Sequence, residues 1–127
     1  MKEVISQVCY LYGLIVHYVE SGDKFCQADG EENYLDHSYF AGNEIYLGIY
    51  KNEEFKFISF FHEVGHILLP SWFGEKFKYN TLIIELECWH IAIMEAQKLD
   101  VFFSDEAIEW GYKQALSYVG HDKRERS

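Results

Sequence analysis

Apolar and polar positions along the chain predict seven helix and strand segments. Residues 2 to 12 read as a short helix that Gly13 ends, and "LIVHYVE", residues 14 to 20, follows as a β-rich run with mixed alternation. From Ser21 to Glu32 the chain is dense in Gly, Asp and Glu, the pattern of an exposed loop. Two strand candidates come next, "YLDHSYF" (34–40) and "EIYLGIY" (44–50), joined by "AGN" as a three-residue hairpin connection. They predict a small, strongly twisted antiparallel sheet.

Three helices fill the second half. Asn52 is a good N-cap, Glu53 and Glu54 suit the positive end of the helix dipole, and Pro70 is expected to stop the segment, so the first runs from about 53 to 69. The second, capped by Asn80 or Thr81, carries "TLIIELECWHIAIMEAQKL" and exits at Asp100. Ser104, followed by Asp105 and Glu106, caps the third, which reaches about Val119 before Gly120. A helix, then strands, then three helices make an α+β arrangement in one domain over 1–127, with disorder expected only in the tail 120–127.

Within the helix at 53–69 lies "FISFFHEVGHILLP", residues 57 to 70, which sets three polar side chains into an apolar run. Residues four apart on a helix lie one above the other, so the imidazoles of His62 and His66 project from one face and can share a metal ion. Glu63 is rotated about 100° from His62. That puts it beside the ion, where a carboxylate can take a proton from a water that attacks a carbonyl. Gly65 removes a side chain between the histidines, which lets another segment or a substrate backbone come close. The plainer reading, ordinary polar residues on a helix, leaves uncompensated polar groups among "FISFF" and "ILL", which is costly. A metal accounts for them.

A catalytic zinc site of this kind needs a third protein ligand and an open position. Glu75, Glu85, Glu87, His90 and Glu95 are the downstream candidates. Glu87 shares its helix face with Ile83, Ile84, Ile91 and Met94, where an unpaired carboxylate would be costly, whereas Glu85 lies beside Thr81, Leu82, Cys88 and Trp89, nearly opposite on the wheel. The two cannot both face the ion, and the burial argument prefers Glu87. His90, one turn from Glu87, could be its neighbour or an oxyanion donor, although a lone helical histidine is more often structural.

Composition narrows the function classes. With 127 residues, 49% hydrophobic and 18% aromatic, the chain has material for one real core. A formal net charge of −10 repels phosphate backbones, so direct nucleic-acid binding is a poor fit and a protein or peptide partner, a basic one among them, is a better one. Cys9, Cys26 and Cys88 match neither a disulfide framework nor a CxxC zinc site and suit a reduced cytoplasm. Glu3, His17 and Glu20 interrupt the apolar N-terminal stretch, so neither a signal peptide nor a membrane span is expected.

"FFHEVGHILL", followed after a loop by "ELECWHIA", resembles the ImmA/IrrE-type zinc metallopeptidases, whose pattern is HELGH and then Glu-Ala-Asn-x-Phe-Ala on the next long helix. Many small phage and prophage members carry Glu-Ala-Trp there. The resemblance covers roughly residues 40 to 119 and places His62 and His66 at the histidine ligand positions, Glu63 at the general base, Glu87 at the third ligand and Ala92 at the final alanine, while Cys88, Trp89 and Ile91 depart from the common form. It implies a minimal zincin-like fold with the active-site helix packed on the small sheet, Zn²⁺ as cofactor, and cleavage of a specific cytosolic protein such as a transcriptional repressor.

The expected function is therefore a cytoplasmic zinc peptidase, with His62, His66 and Glu87 as metal ligands and Glu63 as catalytic base. The alternative is a zinc-containing module that captures a partner without turnover; a purely structural zinc needs no glutamate beside the first histidine. The Tyr and Phe of residues 34 to 61 serve a core or an aromatic peptide groove equally well. "YLGIY" (46–50) is the expected sheet edge for strand addition by a substrate. His17 and His37, in strand candidates, read as half-buried polar residues, and His121 in the tail has no assigned role.

Overall fold

The computed structural model describes residues 1–19, 37–73 (71–73 as backbone only) and 81–117. The loop at 21–32, the tail at 120–127, the beginning of the strand candidate at 34–40, and Cys26, Glu75 and His121 lie outside the described residues. The chain is mixed α+β, with helices α1 (Lys2–Tyr12), α2 (Glu53–Phe73), α3 (Thr81–Gln97) and α4 (Asp105–Leu116), and strands β1 (Ile15–Tyr18), β2 (Tyr39–Ala41) and β3 (Glu44–Leu47).

Helix α1 ends where Gly13 enters the left-handed region at φ 66°, ψ 40°, and its N–H caps the Cys9 carbonyl. One face of α1 inserts Ile5 and Val8 into the core. Asn52 caps α2 as expected: its Oδ1 accepts the backbone N–H groups of Glu54 at 2.9 Å and Phe55 at 3.1 Å. Pro70 does not end this helix, which continues to Phe73. Proline withholds only its own N–H and crowds only the preceding turn, so backbone beyond it can stay helical near a C-terminus.

The sheet is mixed, not antiparallel as expected. Its order is β1-β3-β2, with β1 parallel to β3 in the register Val16 to Ile45, and β2 antiparallel to β3 in the register Phe40 to Ile45. Alternation along a strand sets which face is buried and says nothing of direction; the long connection after β1 lets the chain return to make the parallel pair. The β2–β3 turn is tighter than expected, two residues, with Gly42 at φ 62°. Strand β3 occupies the centre, so the segment 46–50 is not the sheet edge. Among the described residues the edges are β1 and β2.

Ile45 and Leu47 on one face of β3 meet Phe60, Phe61 and Val64 of α2, all fully buried. Helix α3 lies along α2, and α4 closes over both. The Glu54 carboxylate accepts the backbone N–H of Ser104 at 2.8 Å and its hydroxyl at 2.6 Å, so the first turn of α2 holds the cap of α4. Ser104 in turn accepts from the Ala107 N–H.

Gly65 marks the closest approach of α2 and α3. A Cβ there would stand 2.5 Å from the Cys88 carbonyl oxygen, backbone against backbone. Gly65→Ala is expected to cost about 1–3 kcal/mol of overpacking against a helix-propensity gain of about 1 kcal/mol. The urea midpoint should fall; an unchanged midpoint would place α2 and α3 further apart than this. Cys9 and Cys88 are free thiols. No described helix is long and apolar enough to cross a membrane.

Candidate metal centre

The motif on α2 brings its three polar side chains together as the 3.6-residue period requires. Ligand atoms of His62, Glu63 and His66 lie within 4.8 Å of one another. The two imidazoles sit 4.6 Å apart, edge to face. Glu63, 5% exposed, stands on the Nδ1 side of His62 at 3.6 Å. Its carboxylate thus belongs with the two imidazoles in one largely buried group.

Glu85 of α3 reaches both histidines from the neighbouring helix. Its Oε2 lies 2.8 Å from His62 Nε2 and its Oε1 3.0 Å from His66 Nε2, so one carboxylate faces the same nitrogen of both rings. Glu87, preferred on the burial argument, is not there. Its partly exposed carboxylate points the other way on α3 and meets His90 Nδ1 at 3.7 Å. The placement has a physical origin: the buried residues of α3 include Glu85 together with Cys88, Ala92 and Ala96, whose small side chains suit the close approach at Gly65, while of the supposed apolar stripe Ile91 is buried but Met94 is 37% exposed. Glu95 is buried for a different reason, accepting Tyr12 Oη at 2.8 Å and Lys98 Nζ at 2.9 Å. Burial and that carboxylate raise the Tyr12 pKa to about 12.

Two imidazole nitrogens and a carboxylate converging from two helices are a donor set that suits zinc. Burial alone would lower the pKa of His62, but the carboxylates of Glu63 and Glu85 facing its ring outweigh this and raise it to about 9. Glu85 is raised by burial and lowered more by the two histidines, to about 2. A metal ligand must be the neutral imidazole, so zinc uptake at pH 7 is expected to release a proton and apparent affinity to rise with pH up to about 9. Calorimetry in buffers of different ionisation enthalpy counts that proton; a count of zero contradicts the expectation. In the metal-free protein the same contacts add stability that is complete between about pH 4.5 and 6.5. That stability is lost as pH rises through about 9 or falls towards 2.

A cavity of about 310 Å³ opens onto these residues. Tyr39 and Phe40 of β2, Ser59 and Tyr50, and Trp110 and Gln114 of α4 line it with the cluster, as does His37. Phe40 stacks on His66 at 5.1 Å, and Trp89 stacks on His62 at 4.0 Å and 9°. Sequence reasoning allowed an aromatic groove from residues 34 to 61, which covers Tyr39, Phe40 and Tyr50, but missed Trp110 and Gln114, because α4 reaches the cleft only through the fold. Ser59, three residues before His62, and Trp89, four after Glu85, could have been found by helical spacing. His17 is apart from the cluster, paired with Glu44 at 3.0 Å and stacked on Tyr46. Burial and the nearby Glu85, Glu63 and Glu87 charges push the Cys88 thiol up, so it stays protonated. In comparisons with known proteins, no protein-family model, no curated protein and no solved structure matches the chain.

Proposed function

We propose that the protein is a zinc-dependent peptidase of minimal zincin-like design, similar to the ImmA/IrrE type. The observation that carries this reading is the Glu85 carboxylate, which faces the Nε2 atoms of both motif histidines at 2.8 and 3.0 Å. His62, His66 and Glu85 would hold the ion. Zinc held by such a set supplies Lewis-acid chemistry, lowering the pKa of water and polarising a carbonyl.

Glu63 does the proton work. Lining the same cleft, its carboxylate takes a proton from the attacking water as the new C–O bond forms, and delivers it to the amine as the C–N bond breaks. The products are a carboxylate and an amine. The Tyr39–Phe40 segment gives a peptide backbone an edge beside the cluster on which to lie extended. The substrate proposed is a cytoplasmic protein, with a basic segment favoured by the net charge of −10 and a transcriptional repressor suggested by the resemblance.

The test is elemental analysis of the purified protein, followed by mass spectrometry of unstructured peptides incubated with it. About one zinc per chain, and cleavage that a chelator stops and added zinc restores, support the reading. No zinc uptake at neutral pH sinks it. Uptake of zinc without cleavage of any peptide favours capture of a partner instead.

A further inference from the structure

We infer that Trp89 is a positioning residue for the metal: its indole holds the His62 imidazole by the ring face, and Gly111 of α4 leaves the space the indole needs. The inference rests on the metal reading of the site. It adds a determinant of metal affinity on a residue that ligates nothing, and through it a role for α4.

A single turn of α3 acts on His62 twice. Glu85 meets its Nε2, and Trp89, four residues on, lies flat against its ring at 4.0 Å and 9°. Helix α4 packs closely against the indole. Trp110 meets it edge-on at 6.0 Å, and at Gly111 even a methyl group would come within 2.7 Å of Cε3 and 2.9 Å of Cζ3. Helix α4 is itself held at its cap by Glu54.

Tryptophan is a costly choice for this place. Its Nε1–H is buried without a hydrogen-bond partner among the described residues, a loss that phenylalanine would avoid while filling much of the same space. What indole offers and benzene offers less of is a strongly negative π face. An imidazole that donates electron density to a dication becomes more positive, and that face then attracts it. The arrangement fixes the ring orientation and favours the ligated form, as residues behind metal ligands commonly do.

The experiment is a zinc affinity measurement by chelator competition on the whole protein, for wild type, Trp89→Phe, Trp89→Leu and Gly111→Ala, with indole fluorescence followed in parallel. Trp89→Phe should bind about threefold more weakly and Trp89→Leu at least tenfold. Gly111→Ala, which displaces the indole, should resemble Trp89→Leu. Zinc should change the wild-type emission, and the change should persist in Trp110→Phe and disappear in Trp89→Phe. Should Trp89→Leu fail to fold, Trp89→Phe and the emission change decide. Variants that bind zinc as tightly as wild type, or an emission change retained in full by Trp89→Phe, overturn the inference and leave the peptidase reading standing. A wild type that takes up no zinc removes both.

Discussion

Glu63→Gln is expected to lower peptide hydrolysis by roughly 10²- to 10⁴-fold while zinc content stays at the wild-type level. The substitution keeps the shape and removes the ability to accept a proton. Glu63 is buried, lies on the Nδ1 side of His62 and lines the cleft, whereas the Nε2 atoms of both histidines face Glu85. On the proposed assignment its loss leaves His62, His66 and Glu85 in place. Cleavage assays and elemental analysis on one preparation separate the two roles: a variant that keeps full activity removes Glu63 as the base, and one that loses its zinc makes it a ligand.

Glu85→Ala is expected to reduce bound zinc from about one ion per chain to almost none, with Glu87→Ala unchanged. Two histidines from one helix turn remain in Glu85→Ala, but the carboxylate that closes the set from α3 is gone. The same substitution removes one of the carboxylates that hold the His62 pKa near 9, so the His62 titration, followed by NMR in the metal-free protein, should move down. In Glu87→Ala the contact with His90 is lost, while both contacts of Glu85 with the motif histidines remain. Zinc retained by Glu85→Ala and lost by Glu87→Ala would reverse the assignment.

The motif on α2 was legible because its information is local: two histidines at i and i+4 share a face on any helix, whatever packs against it. Helix caps were legible for the same reason, as Asn52, Ser104 and Gly13 act on neighbouring backbone groups. Choosing between Glu85 and Glu87 needed the packing of α3, and α3 is apolar nearly all round, so hydrophobic periodicity does not select its inner face. The signal lay in residue size. Gly65 on α2 demands small partners, and Cys88, Ala92 and Ala96 share a side with Glu85. Sheet direction was hidden because a parallel and an antiparallel strand show the same alternation, and the share of α4 in the cleft because Trp110 and Gln114 lie far from the motif in sequence.

The distance along the chain between the motif and its carboxylate has a consequence during synthesis. By the time α2 has left the ribosome, the three strands are already out and β1 can pair with β3, yet His62 and His66 still lack Glu85, 23 residues behind His62. An emerging chain therefore presents only a weak two-histidine site. On the proposed reading, tight metal capture would wait until α3 has docked along Gly65, so a hydrolytic centre would form only once most of the fold is in place.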